Sequence, residues 1–179
     1  MGVLLYVGSA VNNKLLVVLS AIGAQQAAAT EYTASAIYQP LEYVATYPND
    51  GILFRKSDMI LARHADAEFL NESRAISRAG AHIFLSENEP KPKLNGPILT
   101  IVQIIKTVMA SAAEAEMAAL FGTANKMIPL LHTIIQIGRP QPQTPIQTDN
   151  STLVGFTNKT IVNKAIKSSD MKLWWLIDR

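Results

Sequence analysis

The 179-residue chain contains no cysteine. That removes disulfide frameworks, thiolate metal sites and cysteine nucleophiles together, and makes a reducing cell interior, cytoplasmic or nuclear, the expected location. Aromatic residues make up only 7% and charged residues 17%, while 16 Lys and Arg against 14 Asp and Glu leave a net charge of +2. So small an excess does not by itself announce nucleic-acid binding. Long apolar runs are missing too. The most apolar, residues 15–24 (LLVVLSAIGA), falls well short of the roughly 20 residues that span a bilayer, so no membrane association is expected. Lys14 before it and Ala27, Ala28 and Ala29 after it fit a signal-peptide core. The helical spacing of Leu15, Val18, Leu19 and Ile22 fits a buried amphipathic helix equally well. Nine Gly and nine Pro exclude collagen-like and low-complexity chains. What is present is 49% hydrophobic sequence, enough to build a core at this length.

Residues 1–50 read as a helical segment. Thr30 can cap a second helix with Ala34, Ile37, Leu41 and Val44 on one face, which Pro40 should kink or split. Tyr47-Pro48-Asn49-Asp50-Gly51 is a strong turn signal and marks a boundary between a helical segment, 1–50, and a second domain, 51–179. Beyond it the pattern changes to strands: residues 59–62 leading into His64-Ala65-Asp66, then 80–86 (GAHIFLS), then the β-branched run 97–108 after a polar, proline-bearing loop. Met117, Leu120, Ala124, Met127 and Leu131 recur at helical steps, with Ile134 and Ile135 continuing the face. Pro129 predicts a break near Lys126, a second helix over 128–137, and a stop at Gly138. A short extended stretch, 144–148, ends at Asp149, and residues 165–179 form a last helix. Strand, strand, strand, helix, strand describes an α/β fold: a mixed sheet of three antiparallel strands and then a parallel one, flanked by helices.

Three carboxylates stand where this order could gather them. Asp66 is in or at the end of the first strand, Glu116 in the first turns of the long helix, and Asp149 at the close of the fourth strand. Oxygen ligands of this kind suit Mg²⁺ (or Mn²⁺), and a pair of such ions can activate a water and steady the leaving oxygen of a phosphodiester. Ordinary solvated acids would have the same spacing.

The segments HADAEF (64–69), SRAGAHIFL (77–85), MASAAEAEMAAL (109–120), TDNSTLVG (148–155) and KSSDMKLWWLIDR (167–179) together resemble the RNase H domain of copia-type retrotransposon Pol polyproteins, in that family's order. LLYVGSAVNNKLLVVLSAIGAQQ and EYTASAIYQPLEYVATYPNDGI resemble the connection that joins reverse transcriptase to that domain. The resemblance implies an RNase H-like sheet and metal-dependent hydrolysis of the RNA strand of an RNA–DNA hybrid. Asp66, Glu116 and Asp149 would then be the catalytic and metal-binding residues, with Glu114 the less favoured neighbour. The reverse transcriptase region of the same polyprotein is the implied partner. The family carries a fourth carboxylate beyond one further strand, and no counterpart precedes Arg179. The resemblance therefore implies an incomplete domain lacking its final strand and helix, weak or inactive as this fragment. Asp170 belongs to the preceding helix and reads as a capping or solvated residue. The alternative function is a non-catalytic retroelement remnant that binds nucleic acid or protein.

Lys159, Lys164 and Lys167, with Lys172, make the C-terminal third basic and are the candidate phosphate contacts. Trp174 and Trp175 point about 100° apart on a helix, so one reads as a core residue and the other as an edge residue, with base stacking as the functional option. His64 reads as a polar strand residue or a metal ligand. Ser111 and Ser151 lack a His and an Asp in triad order.

Overall fold

The computed structural model describes residues 1–72, 76–109, 111–142, 144, 146, 147, 172 and 175. The chain divides into two compact units, Met1–Arg55 and Lys56–Arg179.

The first unit is helical: α1 (Gly2–Ala10), α2 (Leu16–Ala24), α3 (Glu31–Ala36) and α4 (Tyr38–Thr46), with short 3₁₀ turns before and after α2. Leu15, Leu16, Leu19 and Ile22 form its buried face. Gly8 lets α1 close on α2, since a Cβ there would lie 3.0 Å from Leu16 Cδ2. Thr30 caps α3 in a reciprocal box with Thr33, which satisfies two otherwise orphaned helix donors. The helix divides at Ile37, so that Pro40 falls in the first turn of α4, where the missing N–H would have had no intrahelical partner anyway. The face that carries Ala34, Ile37, Leu41 and Val44 is largely open to solvent. Leu41 and Val44 are exposed, and the buried residues of α3 and α4 are Thr33 and Pro40.

The turn after α4 is fastened by one carboxylate. Asp50 accepts hydrogen bonds from Lys14 Nζ (2.8 and 3.0 Å), from the Tyr43 hydroxyl and from Asn12 Nδ2. Asn12 Nδ2 also donates to the Asp50 carbonyl, and Ile52 N to the Val11 carbonyl.

The second unit begins with an antiparallel meander, β1 (Ile60–Glu72), β2 (Ile76–Ser86) and β3 (Pro97–Ile105). All three strands occur where expected, with β1 and β2 longer and β3 ending at Ile105 rather than at Val108. Pro97 occupies the first position of β3, opposite Phe84, a place where a strand tolerates a missing donor. β1 and β2 stay in register from Ile60–Ser86 to Glu68–Arg78, then slip before Glu72, where Leu70 adopts φ +58°. The chain then crosses the sheet as α5 (Ala112–Gln136). A two-residue strand, β4 (Ile146–Gln147), lies parallel to β1, Ile146 against Arg63 and Gln147 against His64, for an order of β3-β2-β1-β4.

The predicted break at Pro129 does not occur: α5 runs unbroken through it. Proline removes one helix bond and crowds the preceding turn, at a cost of about 3 kcal/mol. Met127 before it and Ile134 after it are both buried in the same core. Each burial contributes roughly 1.5–3 kcal/mol, which offsets the proline. Ser111 Oγ caps the start of the helix by accepting from Glu114 N. Its end is a left-handed Gly138 (φ +83°) whose N–H reaches Ile135 O, while Arg139 N reaches Ile134 O, the paired bonds of a Schellman stop.

The core lies between this helix and one face of the sheet. Leu61 and Ala65 of β1, Ala81 and Ile83 of β2 and Ile101 of β3 pack with Met127 and Ile134. Alternation puts His64 and Asp66 on the other side of β1. There, His64 stacks on Phe84 (5.7 Å between ring centroids), and His82 lies tilted against the same ring at 5.4 Å.

Candidate active site

Gln141, five residues past the end of α5, bonds to Met59 and Leu61 at the start of β1. Two residues past Leu61, Arg63 Nη1 donates to the Leu120 carbonyl at 3.0 Å. The helix therefore runs against β1, and its first turns lie toward the Asp66 end. Glu116, one turn before Leu120, belongs to those turns.

Glu116 is half-buried, and its Oε2 is wholly removed from solvent. Asp66 is exposed, pairs across the sheet with Gly80, and accepts a 2.7 Å bond from the Ala67 amide through Oδ1. Asp66 projects from the face of β1 turned away from α5, whereas Glu116 belongs to α5, so the two acids lie on opposite sides of the sheet. Asp149 lies outside the described residues, as do Lys159, Lys164 and Lys167. Among the described residues, no group of three His, Cys, Asp or Glu side chains is arranged to hold a metal ion. Glu114 sits in the first turn of α5, its amide taken by Ser111.

His64 is a half-buried strand residue in a ring stack, and His82 donates from Nε2 to the Asn95 carbonyl at 3.0 Å. Trp175 is half-buried and meets Phe121 of α5 edge-on at 4.9 Å. Trp174 lies outside the described residues. Lys172 is helical and half-buried.

Two residues along β1 carried no recognised signal in the sequence. Arg63, 1% exposed, is the largest fully buried side chain. Among the described residues, Nη1 alone of its nitrogens is bonded, and Nε and Nη2 meet no partner. Burial pulls its guanidinium down from the usual arginine range to about 10. Nothing in the string Leu-Ala-Arg-His distinguishes such a residue from an exposed one. Gln141 could have been noticed, as a carboxamide between Pro140 and Pro142 in a stretch that must lie along a strand.

No protein family matches the chain by sequence pattern, and no curated protein matches it. Among solved structures, it is similar to LC11-RNase H1, isolated from compost by a metagenomic approach, with a TM-score of 0.50 and 10% sequence identity. The match covers 67% of this chain and 74% of that one. The second unit therefore has an RNase H-like fold. Among the described residues, no helix is long and apolar enough to cross a membrane.

Proposed function

We propose that the second unit is an RNase H domain of retroelement origin whose chemistry is metal-dependent hydrolysis of the RNA strand of an RNA–DNA hybrid. The observation that carries this reading is the RNase H-like fold, with Asp66 on its first strand and Glu116 in the second turn of the helix that crosses the sheet. The parallel register supports it. Gln147 lies against His64, so the same register carried on by two residues would set Asp149 level with Asp66. Asp66 would then have a second carboxylate level with it on the neighbouring strand, and hard oxygens of this kind suit Mg²⁺. The ion, when bound, supplies charge that lowers the pKa of a coordinated water. The chain's own contribution is positional. β1 holds Asp66 by pairing it to Gly80, the Ala67 amide orients its carboxylate, and α5 presents Glu116 from its second turn. Lys159, Lys164 and Lys167 would contact phosphates along the hybrid. The helical first unit would face the reverse transcriptase region of a copia-type polyprotein.

Mg²⁺ titration, followed by cleavage of a labelled hybrid, tests the reading. Asp66→Asn, Glu116→Gln and Asp149→Asn are each expected to weaken Mg²⁺ binding by at least the roughly 10- to 100-fold that even an outer-shell partner is worth. Mg²⁺ binding indifferent to all three would replace this reading with its rival, a non-catalytic module that binds nucleic acid or protein. Arg63 is the observation that favours the rival, because a half-bonded guanidinium in the core weakens the strand that carries Asp66.

A further inference from the structure

The segment that leads from α5 into β4 is poor in backbone donors. Pro140, Pro142 and Pro145 fall within six residues, and proline has no N–H to give to a ladder. Gln141 compensates with its side chain. Its Oε1 accepts from Leu61 N at 2.8 Å, and its Nε2 donates to Met59 O at 2.9 Å and to Arg139 O at 3.3 Å. Accepting from one residue's N–H and donating to the carbonyl two residues earlier is what the N–H and C=O of one residue on a parallel neighbour do about the residue between them, here Ile60. The carboxamide therefore acts as one rung of a parallel strand. It is placed where β1 opens and where Met59 sits at φ +62°, an uncommon conformation for a residue other than glycine. Three residues further on, the backbone takes over, with Ile146 against Arg63 and Gln147 against His64.

We propose that Gln141 is a positioning residue that sets the register in which the chain returning from α5 pairs with β1. A slip of one residue turns every side chain of a strand to the opposite face, so the clasp decides which residues beyond Gln147 come level with Asp66. The clasp stands apart from the nuclease reading, and only its consequence for Mg²⁺ rests on that reading.

Site-resolved amide hydrogen exchange on the full chain, comparing wild type with Gln141→Leu and Gln141→Glu, is the test. Leucine keeps the bulk and removes both bonds. Glutamate keeps the acceptor for Leu61 and sets an oxygen against the Met59 carbonyl. In Gln141→Leu, the Leu61 amide and those of residues 146 and 147 should all exchange about tenfold faster, as loss of one or two such bonds implies. Protection in the middle of α5 should not change. In Gln141→Glu, Leu61 should keep more of its protection than residues 146 and 147. Acceleration confined to Leu61, or absent there, overturns the proposal, as does a loss of protection spread evenly through α5. With the nuclease reading, Gln141→Leu should also lower Mg²⁺ affinity about tenfold, within the range that outer-shell changes produce. A wild-type chain that binds no Mg²⁺ would sink that reading and leave the clasp intact.

Discussion

Each unit of this molecule holds one conspicuous charged side chain, and the two are treated in opposite ways. Asp50, in the helical unit, sits near the surface with a lysine, a tyrosine hydroxyl and an asparagine amide directed at its carboxylate. Arg63, in the sheet unit, is shut between β1 and α5 with one carbonyl for its five N–H donors. Asp50 remains partly hydrated, so its partners add to what water still provides, and they hold its pKa below 3.8, Lys14 first and Tyr43 next. Arg63 has given up its hydration and received little in exchange. The contrast shows that the number of partners a charge keeps, rather than its presence in a fold, decides whether it stabilises.

Replacing Arg63 should have the largest effect. A guanidinium pulled down to about 10 from the usual arginine range bears a penalty on its charged form of about 3 kcal/mol. Arg63→Met keeps the volume without the charge and should stabilise the sheet unit by about 2–3 kcal/mol, as exchange of poorly compensated buried charge for apolar packing can. The midpoint of urea unfolding measures it. Because the folded pKa lies below the unfolded one, the penalty is fully present below about pH 10 and fades only as pH rises from there toward the unfolded value. The gain from Arg63→Met should thus be the same at pH 6 as at pH 8, to within about 0.5 kcal/mol. A midpoint that falls instead would mean that the guanidinium has partners that outweigh its desolvation.

Asp50→Asn should act in the other direction and by less. The folded pKa of Asp50 is depressed, so its stabilisation is present above the unfolded value of 3.8 and is lost as pH falls through the folded value. Wild type should therefore lead Asp50→Asn at neutral pH, with the gap closing in acid. A gap that persists unchanged at pH 2 would assign the effect to shape rather than charge. Lys14→Met should be the smallest change. The ammonium is well exposed, and exposed pairs contribute little and are screened by salt. Its effect should shrink further in 1 M NaCl, read from the same unfolding curves.

Much of this was legible along the chain. Thr30 announced a helix start, and Gly138 announced a stop through the one backbone conformation that excludes most other residues. The β-branched runs announced strands. The acids could be assigned to elements, Asp66 to a strand and Glu116 to a helix, because local pattern decides element type. Pro129 was misread because a break is the local preference of proline, and burial on both sides of it overrode that preference. The face through Leu41 and Val44 was legible only as a face: helical spacing shows that it exists, not whether anything covers it, and both residues are exposed.

The sequence alone determined the element types, their order and the chemistry available in the three acids, since these depend on neighbours a few residues apart. Only the tertiary structure decided that α5 runs against β1, that Arg63 is enclosed while Asp50 is not, and that Gln141 supplies the rung its prolines cannot. Those outcomes join residues as much as 82 positions apart, and no local rule fixes what a side chain meets at that distance.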